Sequence, residues 1–258
     1  MPATALVTGA SSGLGKEFAR IHAATGGTVI LTARREAELH ELKSELEGRH
    51  GIDAHVFPAD LGQEGAAQAL YSDVRAAGLT PDILINNAGF GGQGKFIERD
   101  LPRHLAMIDL NIKALMVLTH LFGRDMAGRG SGRILNVGST AGFMPGPQQA
   151  TYFATKAFVN SFSQAIDQEL RPRGVTCTVL APGYVETGFA EAADMEGTAM
   201  VKAGGADAAS VAKMGYDAMM EGRLVKINSP FLSLALNWII PLLPRRLVLQ
   251  LAERTQSK

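Results

Sequence analysis

The chain has 258 residues, 25 basic against 25 acidic side chains, and an apolar fraction of 46%. That length can bury roughly 70–75% of the surface its unfolded form exposes, and the balanced charge gives no electrostatic case for nucleic acid as a partner. The lone cysteine, Cys177, excludes a disulfide framework or a cysteine metal site within one chain.

The chain opens on "MPATALVTG", which enters a strand at once, with no basic region or cleavage signal. A cytoplasmic protein is the expectation. "TALVTG" is a short β-rich run ending in glycine, and "GLGKEFARIHAATG" follows with helical spacing at Leu14, Phe18 and Ile21. "TVILTA" reads as the second strand and "REAELHELKSELEGRHG" as a polar amphipathic helix with Leu39, Leu42 and Leu46 on one side. "DAHVFPAD" is a third strand, residues 63–77 a helix, and "DILINNAG" a fourth strand. A long helix is predicted over 101–126, a fifth strand at "GRILNVGS", a helix over 149–171 stopped by Pro172, and a sixth strand at "GVTCTVLAPG". Cys177 reads as a buried core thiol. The histidines are scattered, and His104 and His120 form no HExxH-type pair, so no metal is assigned.

Strands separated by helices predict a parallel sheet covered on both faces. With right-handed crossovers this is a doubly wound α/β Rossmann sheet. "RLVKIN" adds a seventh strand. No repeat or low-complexity linker divides the chain, so 1–258 is read as one domain.

The first strand runs into "TGASSGLGKEF". Glycines there let backbone approach a pyrophosphate, and a helix start aims its N–H groups at it. A second G-x-G-x-x-G match, "GFGGQG" at 89–94, precedes no convincing helix and reads as a flexible loop. At the end of the second strand stand Ala33, Arg34 and Arg35, where an NAD site carries an acidic residue. A guanidinium binds a 2′-phosphate through charge-assisted hydrogen bonds. Arginine is also unexpected in the first turn of a helix, whose dipole is positive there. The cofactor read from this pair is NADP.

Tyr152 and Lys156 lie one helical turn apart in "TYFATKAFV", a lysine in an apolar run. The pair is either an ordinary helix surface contact or a lysine charge placed to act on the tyrosine hydroxyl, and a phenol can donate to an oxygen on which charge develops. A nearby cation favours the phenolate and is expected to lower a tyrosine pKa of about 10. Ser139, just past the fifth strand, stands where open α/β sheets bind ligands.

The chain resembles the short-chain dehydrogenase/reductase family from Thr8 to about Gly222. The resemblance rests on "TGASSGLG", "ADL" at 59–61, "NNAG" at 86–89, Asn111, Ser139, "YFATK" and "PGYVET" at 182–187, in that order. It implies that Gly9, Gly13 and Gly15, with Ser11, Ser12 and Leu14 between them, line the pyrophosphate. Arg34, with Arg35, would hold the 2′-phosphate, and Asp60 and Leu61 would face the adenine. Asn86, Ala88 and Gly89 would pass beneath the adenosine ribose and structure the sheet. Pro182, Gly183, Val185 and Thr187 would lie along the nicotinamide.

Asn111, Ser139, Tyr152 and Lys156 would form a catalytic tetrad. In it Lys156 bonds the nicotinamide ribose and Asn111 holds a relay water. The implied activity is hydride transfer between NADP(H) and a small-molecule carbonyl or secondary alcohol, by a homodimer or homotetramer. Two rivals are the same chemistry with NAD(H) and a non-catalytic nucleotide-binding regulator. The usual mark of the latter, a lost tyrosine or lysine, is not seen.

Residues 186–206, rich in Ala, Gly and Met, read as a mobile substrate loop. The apolar extension 229–258 carries the only tryptophan, Trp238. At about a dozen residues, its apolar run 231–243 is too short for a membrane span, which needs roughly 20. A substrate flap, a subunit contact and an interfacial anchor with arginines at the headgroup level all suit it.

Overall fold

A computed structural model describes residues 3–257. The elements follow the expected alternation: β1 (Thr4–Thr8), α1 (Gly13–Ala24), β2 (Thr28–Thr32), α2 (Glu36–His50), β3 (Ala54–Val56), α3 (Ala66–Ala76) and β4 (Ile83–Asn86). Then come α4 (Leu101–Ile108), α5 (Leu115–Arg129), β5 (Gly132–Val137), α6 (Ala150–Leu170) and β6 (Val175–Leu180). The last part holds β7 (Val185–Glu186), α7 (Phe189–Ala192), α8 (Ala199–Lys202), β8 (Ala206–Asp207), α9 (Ala208–Met220), β9 (Val225–Lys226), α10 (Pro230–Leu234) and α11 (Arg245–Gln256).

The sheet has seven strands in the order β3-β2-β1-β4-β5-β6-β9, and every pair is parallel. Strand side chains alternate between two cores. Val7, Val29, Leu31, Ile85 and Leu135 pack with α1, α2 and α9 residues such as Phe18, Leu42 and Met219. Leu6, Ile30, Leu84 and Ile134 point the other way, against Leu70 of α3 and Leu118 and Phe122 of α5. Burial on both faces is why the strands read as unbroken apolar runs. The single domain is a Rossmann-like α/β sandwich.

The strand order reverses between β1 and β4, so the crevice for a ligand opens at the carboxyl ends of those two strands. Each site segment leaves the sheet at such an end. Among the described residues one helix, 101–129, is long and apolar enough to cross a membrane. Here it is the α4–α5 rod, and its buried residues Met107, Leu118, Phe122 and Met126 face the protein interior.

Three local features depart from the periodicity. The rod is not one regular helix, since residues Asp109–Ala114 form a π-helical turn. α3 starts at Ala66 rather than 63. Gly65 takes a left-handed conformation (φ +76°), and the Asp60 carboxylate gathers the N–H of Gly62 (3.2 Å) and the Gln63 amide (3.2 Å) in the preceding turn. β7 and β8 form a separate two-stranded parallel pair, too short to show as a pattern.

Candidate active site

The carboxyl ends of the strands line one cavity of about 1240 Å3. Its floor begins at Gly9, just past Thr8, the last residue of β1. The Thr8 hydroxyl donates to the Ile85 carbonyl (3.3 Å) and accepts from the backbone N–H groups of Asn87 and Ala88 (both 2.9 Å). The Asn87 side chain donates back to the Thr8 carbonyl (2.9 Å). The two central strands are thereby locked where they leave the sheet.

The chain then turns at Gly9 (φ +66°) and enters α1 through Ser12 and Gly13 (φ +53°). Ser12 makes no side-chain cap, so the first N–H groups of α1 have no partner from it, as an anion-binding helix start requires. Gly15 faces away from the cavity. A Cβ there would stand 2.2 Å from the Gly9 carbonyl oxygen and 2.6 Å from the Asn87 amide nitrogen. Its role is close packing of helix on loop. Gly15→Ala is expected to destabilise the protein by about 1–3 kcal/mol through overpacking, read as a fall of several degrees in Tm by calorimetry. An unchanged Tm would mean that the loop yields freely.

The arginine pair divides. Arg35 donates to the Ser11 hydroxyl (3.0 Å) and pairs with Glu38 (3.3 Å), bracing the glycine loop. Arg34 lines the cavity and has no hydrogen bond or ion pair among the described residues. Across the cavity, Asp60 and Leu61 follow β3, and Asn87, Ala88 and Gly89 follow β4.

Asn86, which the resemblance places beneath the ribose and in the structure of the sheet, does not line the cavity. It is buried, and its amide donates to Thr119 Oγ1 (3.0 Å) and Asn136 Oδ1 (2.9 Å). Asn136 in turn donates to Ser163 (2.9 Å). This ladder ties β4, β5, α5 and α6 together. Asn87 is the side chain that reaches the cavity; alternation along β4 is the signal that could have told the two asparagines apart.

The catalytic candidates come from β5, α6 and the rod. Ser139 caps a 3-10 turn (Thr140–Phe143), accepting from the Ala141 N–H (3.0 Å), and its hydroxyl points at the Pro182 carbonyl at 3.4 Å. Asn160 donates to the Ser139 carbonyl (2.9 Å), a positioning contact that the sequence reading did not include. Tyr152 and Lys156 share one face of α6. Lys156 is only 6% exposed. Its ammonium donates to the Val137 carbonyl (2.7 Å) and lies 5.8 Å from the Tyr152 ring centroid.

Burial pushes the Tyr152 phenol up to about 12, against a smaller downward pull from the Ser139 hydroxyl. Burial also pushes the Lys156 ammonium down to about 8. With the protein's own groups alone, desolvation therefore outweighs the expected lowering of the tyrosine by the lysine. Two side chains in one low-dielectric wall each resist charge.

Asn111 sits in the π turn and is buried rather than cavity-lining. Its amide donates to the Phe90 carbonyl (2.9 Å) and Thr155 (3.1 Å), and its carbonyl accepts from the Phe90 N–H (3.1 Å). It fastens the loop after β4 to α6. This explains a polar residue on an apolar helix. The loop at 89–94 makes no helix start; its Gly91 lets the Phe189 and Tyr152 rings approach (a Cβ would be 2.8 Å and 3.4 Å from them).

Pro182, Gly183, Val185 and Thr187 close the far side of the cavity. The Gly183 N–H donates to Asn228 (3.0 Å). Phe189 stands 5.5 Å from Tyr152, ring centre to ring centre. Residues 189–201 fold around an apolar cluster of Ala190, Ala193 and Met195, and the β7–β8 pairing holds the ends of that segment together. Beyond Tyr152 the cavity continues between Phe153 and Met144 and the carboxy-terminal residues Leu232, Leu236, Val248 and Ala252. The last turn of α11 is pinned: Gln256 receives hydrogen bonds from Gln93 and Gln149, and the Gln148 amide donates to Ser257 (3.0 Å). None of these tail contacts has a sequence motif. Among the described residues no group of three or more His, Cys, Asp and Glu side chains could share a metal ion.

This donor set fits a dinucleotide: a glycine-rich loop at a helix start, a guanidinium after β2 with no ion pair among the described residues, and a phenol and hydroxyl deeper in the same cavity. The profile of the short chain dehydrogenase family matches residues 3–196. Sulfoacetaldehyde reductase 2 of Chromohalobacter salexigens is 38% identical over 207 residues, which is 80% of this chain and 78% of that protein. A short-chain dehydrogenase from Sphingobium yanoikuyae, solved in complex with NADPH, matches at TM-score 0.84 and 28% identity over 93% of this chain and 92% of its own. One from Burkholderia phymatum in complex with NAD matches at TM-score 0.82 and 25% identity, over 99% and 97%. The chain belongs to the short chain dehydrogenase family, and it is an oxidoreductase of that NAD(P)-using type.

Proposed function

We propose that the protein is an NADP(H)-dependent reductase of a carbonyl group, working reversibly on the secondary alcohol, with Tyr152 as general acid and base. One observation carries this reading: the Tyr152 phenol and the Ser139 hydroxyl face the same cavity that the glycine loop and Arg34 line. When bound, the cofactor supplies or accepts the hydride.

The chain's own residues do the rest. In reduction the Tyr152 O–H donates its proton to the carbonyl oxygen as charge develops there. In oxidation its phenolate takes the alcohol proton. Ser139 hydrogen-bonds the same oxygen; its present contact to the Pro182 carbonyl is long at 3.4 Å and easily exchanged. Lys156 places a positive charge behind the tyrosine and holds the nicotinamide ribose. Asn111 keeps the loop after β4 in register with α6 and accepts from the relay water. Residues 186–206 act as the substrate loop, opening between the paired ends at β7 and β8.

A phenol held near 12 is fully protonated at neutral pH, which suits donation. Reduction is thus expected to stay level through neutral pH, and alcohol oxidation to climb with pH as the phenolate fraction grows.

The cofactor preference rests on Arg34. A charge-assisted hydrogen bond is worth about 1.5–3 kcal/mol. Arg34→Ala is therefore expected to weaken NADPH binding by roughly 10- to 150-fold and to leave NADH binding unchanged, as read by cofactor fluorescence titration. Equal losses for both cofactors would remove the 2′-phosphate argument. The direct test of the whole reading is NADPH oxidation across ketones and aldehydes of different bulk and polarity. Tight cofactor binding with no turnover on any of them would instead favour a nucleotide-binding regulator.

A further inference from the structure

The helical stretch 230–242 is apolar on two faces. Leu232, Leu236 and Ile240 turn inward to the cavity wall. Phe231, Leu234, Trp238 and Leu242, spaced by three and four residues, turn outward, and Trp238 and Leu242 are 72% and 85% exposed. α11 repeats the arrangement, with Val248 and Ala252 buried and Leu247 and Leu251 half-exposed on its outer side. Between the two apolar faces lies only a narrow polar stripe of Ser233 and Asn237, joined by a hydrogen bond of 2.8 Å, and a large exposed apolar patch marks a surface that binds something.

Charge identifies the occupant. From 222 to 252 the sequence has no acidic residue. Arg245 and Arg246, next to the tip at Leu242, make no hydrogen bond or ion pair among the described residues. A second copy of the same face would bring apolar side chains but, with no acidic residue between 222 and 252, no carboxylate from this stretch to pair with these arginines. An anionic lipid surface would neutralise them. The apolar helix 230–242 spans about 20 Å at 1.5 Å per residue, short of the ~30 Å hydrocarbon core, so it suits lying in the interface rather than crossing it.

We propose that segment 230–257 docks on an anionic membrane surface, with Phe231, Trp238 and Leu242 in the headgroup–acyl boundary and Arg245 and Arg246 on the phosphates. Resting on the carbonyl-reductase reading, a second consequence follows. The helices that meet the bilayer also wall the cavity above Tyr152, so an apolar, lipid-dissolved carbonyl reaches the phenol along a continuous apolar path.

The test uses the full chain and two kinds of vesicle, pure phosphatidylcholine and phosphatidylcholine mixed with phosphatidylserine. The single tryptophan is its own reporter. The protein should sediment with the mixed vesicles, lose most of that binding in high salt, and show blue-shifted Trp238 emission. Each basic group near such a surface is worth about a factor of five in affinity, so Arg245→Gln/Arg246→Gln should bind the mixed vesicles about 30-fold more weakly. Leu242→Ser should also weaken binding, and both variants should reduce a water-soluble ketone at the normal rate. For a long-chain ketone carried in the vesicles, KM alone should rise in the arginine variant.

Absence of vesicle binding with unshifted Trp238 emission overturns the proposal. So does a Leu242→Ser variant that converts an oligomer to monomers by light scattering, because the face would then belong to a second copy. Vesicle binding without any ketone turnover would leave the docking surface standing and remove the reductase reading instead.

Discussion

Tyr152→Phe is expected to lower kcat for ketone reduction by about 10^2- to 10^4-fold, the usual contribution of a positioned general acid, while NADPH binds with unchanged affinity. The substitution removes one hydroxyl. It leaves the ring between Phe153 and Phe189 and leaves the Lys156 bond to Val137 intact. The glycine loop and Arg34 are far from the change. A loss confined to kcat would therefore report the proton and not the architecture. The pH profile separates the two further. The climb of alcohol oxidation with pH belongs to the Tyr152 phenol and should disappear in the variant, with the residual rate flat. Retention of most turnover, or of the climb, would move the acid–base role to another group. Ser139→Ala should be milder, because Ser139 orients the oxygen but the phenol still carries the proton.

How much of this was legible from sequence follows from the range of the interactions. The strands were plain because both faces of each are buried, so Leu6, Ile30 and Leu84 and their alternating neighbours are all apolar. The glycine loop was plain because its demands are local: a left-handed Gly9 and a helix beginning at Gly13. The fates of Arg34 and Arg35 were not, since they differ only in which one meets Ser11 and Glu38. Asn86 and Asn87 were hard to tell apart for the same reason: one step past the end of β4 turns a side chain from the sheet ladder to the cavity. The carboxy-terminal wall was least legible. It depends on contacts between residues more than a hundred positions apart, such as Gln149 with Gln256 and Gln148 with Ser257, and no local pattern encodes them. The pairing of Tyr152 and Lys156 was legible as proximity, but the net direction of the tyrosine's shift was not, because spacing shows a neighbouring charge and does not show how far both groups are desolvated.

That desolvation makes Lys156 a site where function and stability oppose each other. Its ammonium is buried against a carbonyl, and burial is the one cause that lowers it from 10.5 to about 8. That depression corresponds to roughly 3 kcal/mol against the charged form in the folded protein. Lys156→Met removes that penalty and leaves the Val137 carbonyl short of a donor, at a cost of about 1–3 kcal/mol. The cofactor-free variant is thus expected to be more stable at neutral pH by up to about 2 kcal/mol, a rise of a few degrees in Tm. Its kcat/KM should fall by at least about 10^2-fold, as the charge behind the phenol is lost.

The sign of the pH dependence identifies the cause. The folded pKa of the lysine lies below the unfolded one, so its penalty is fully present below pH 8. It fades as pH rises from about 8 to 10.5, where the folded protein releases the proton before the unfolded chain does. The melting temperatures of wild type and Lys156→Met should therefore converge across that window. A variant less stable than wild type at pH 7, with a gap that does not narrow toward pH 10, would show that the Val137 bond outweighs desolvation and that the lysine sits in this wall without strain.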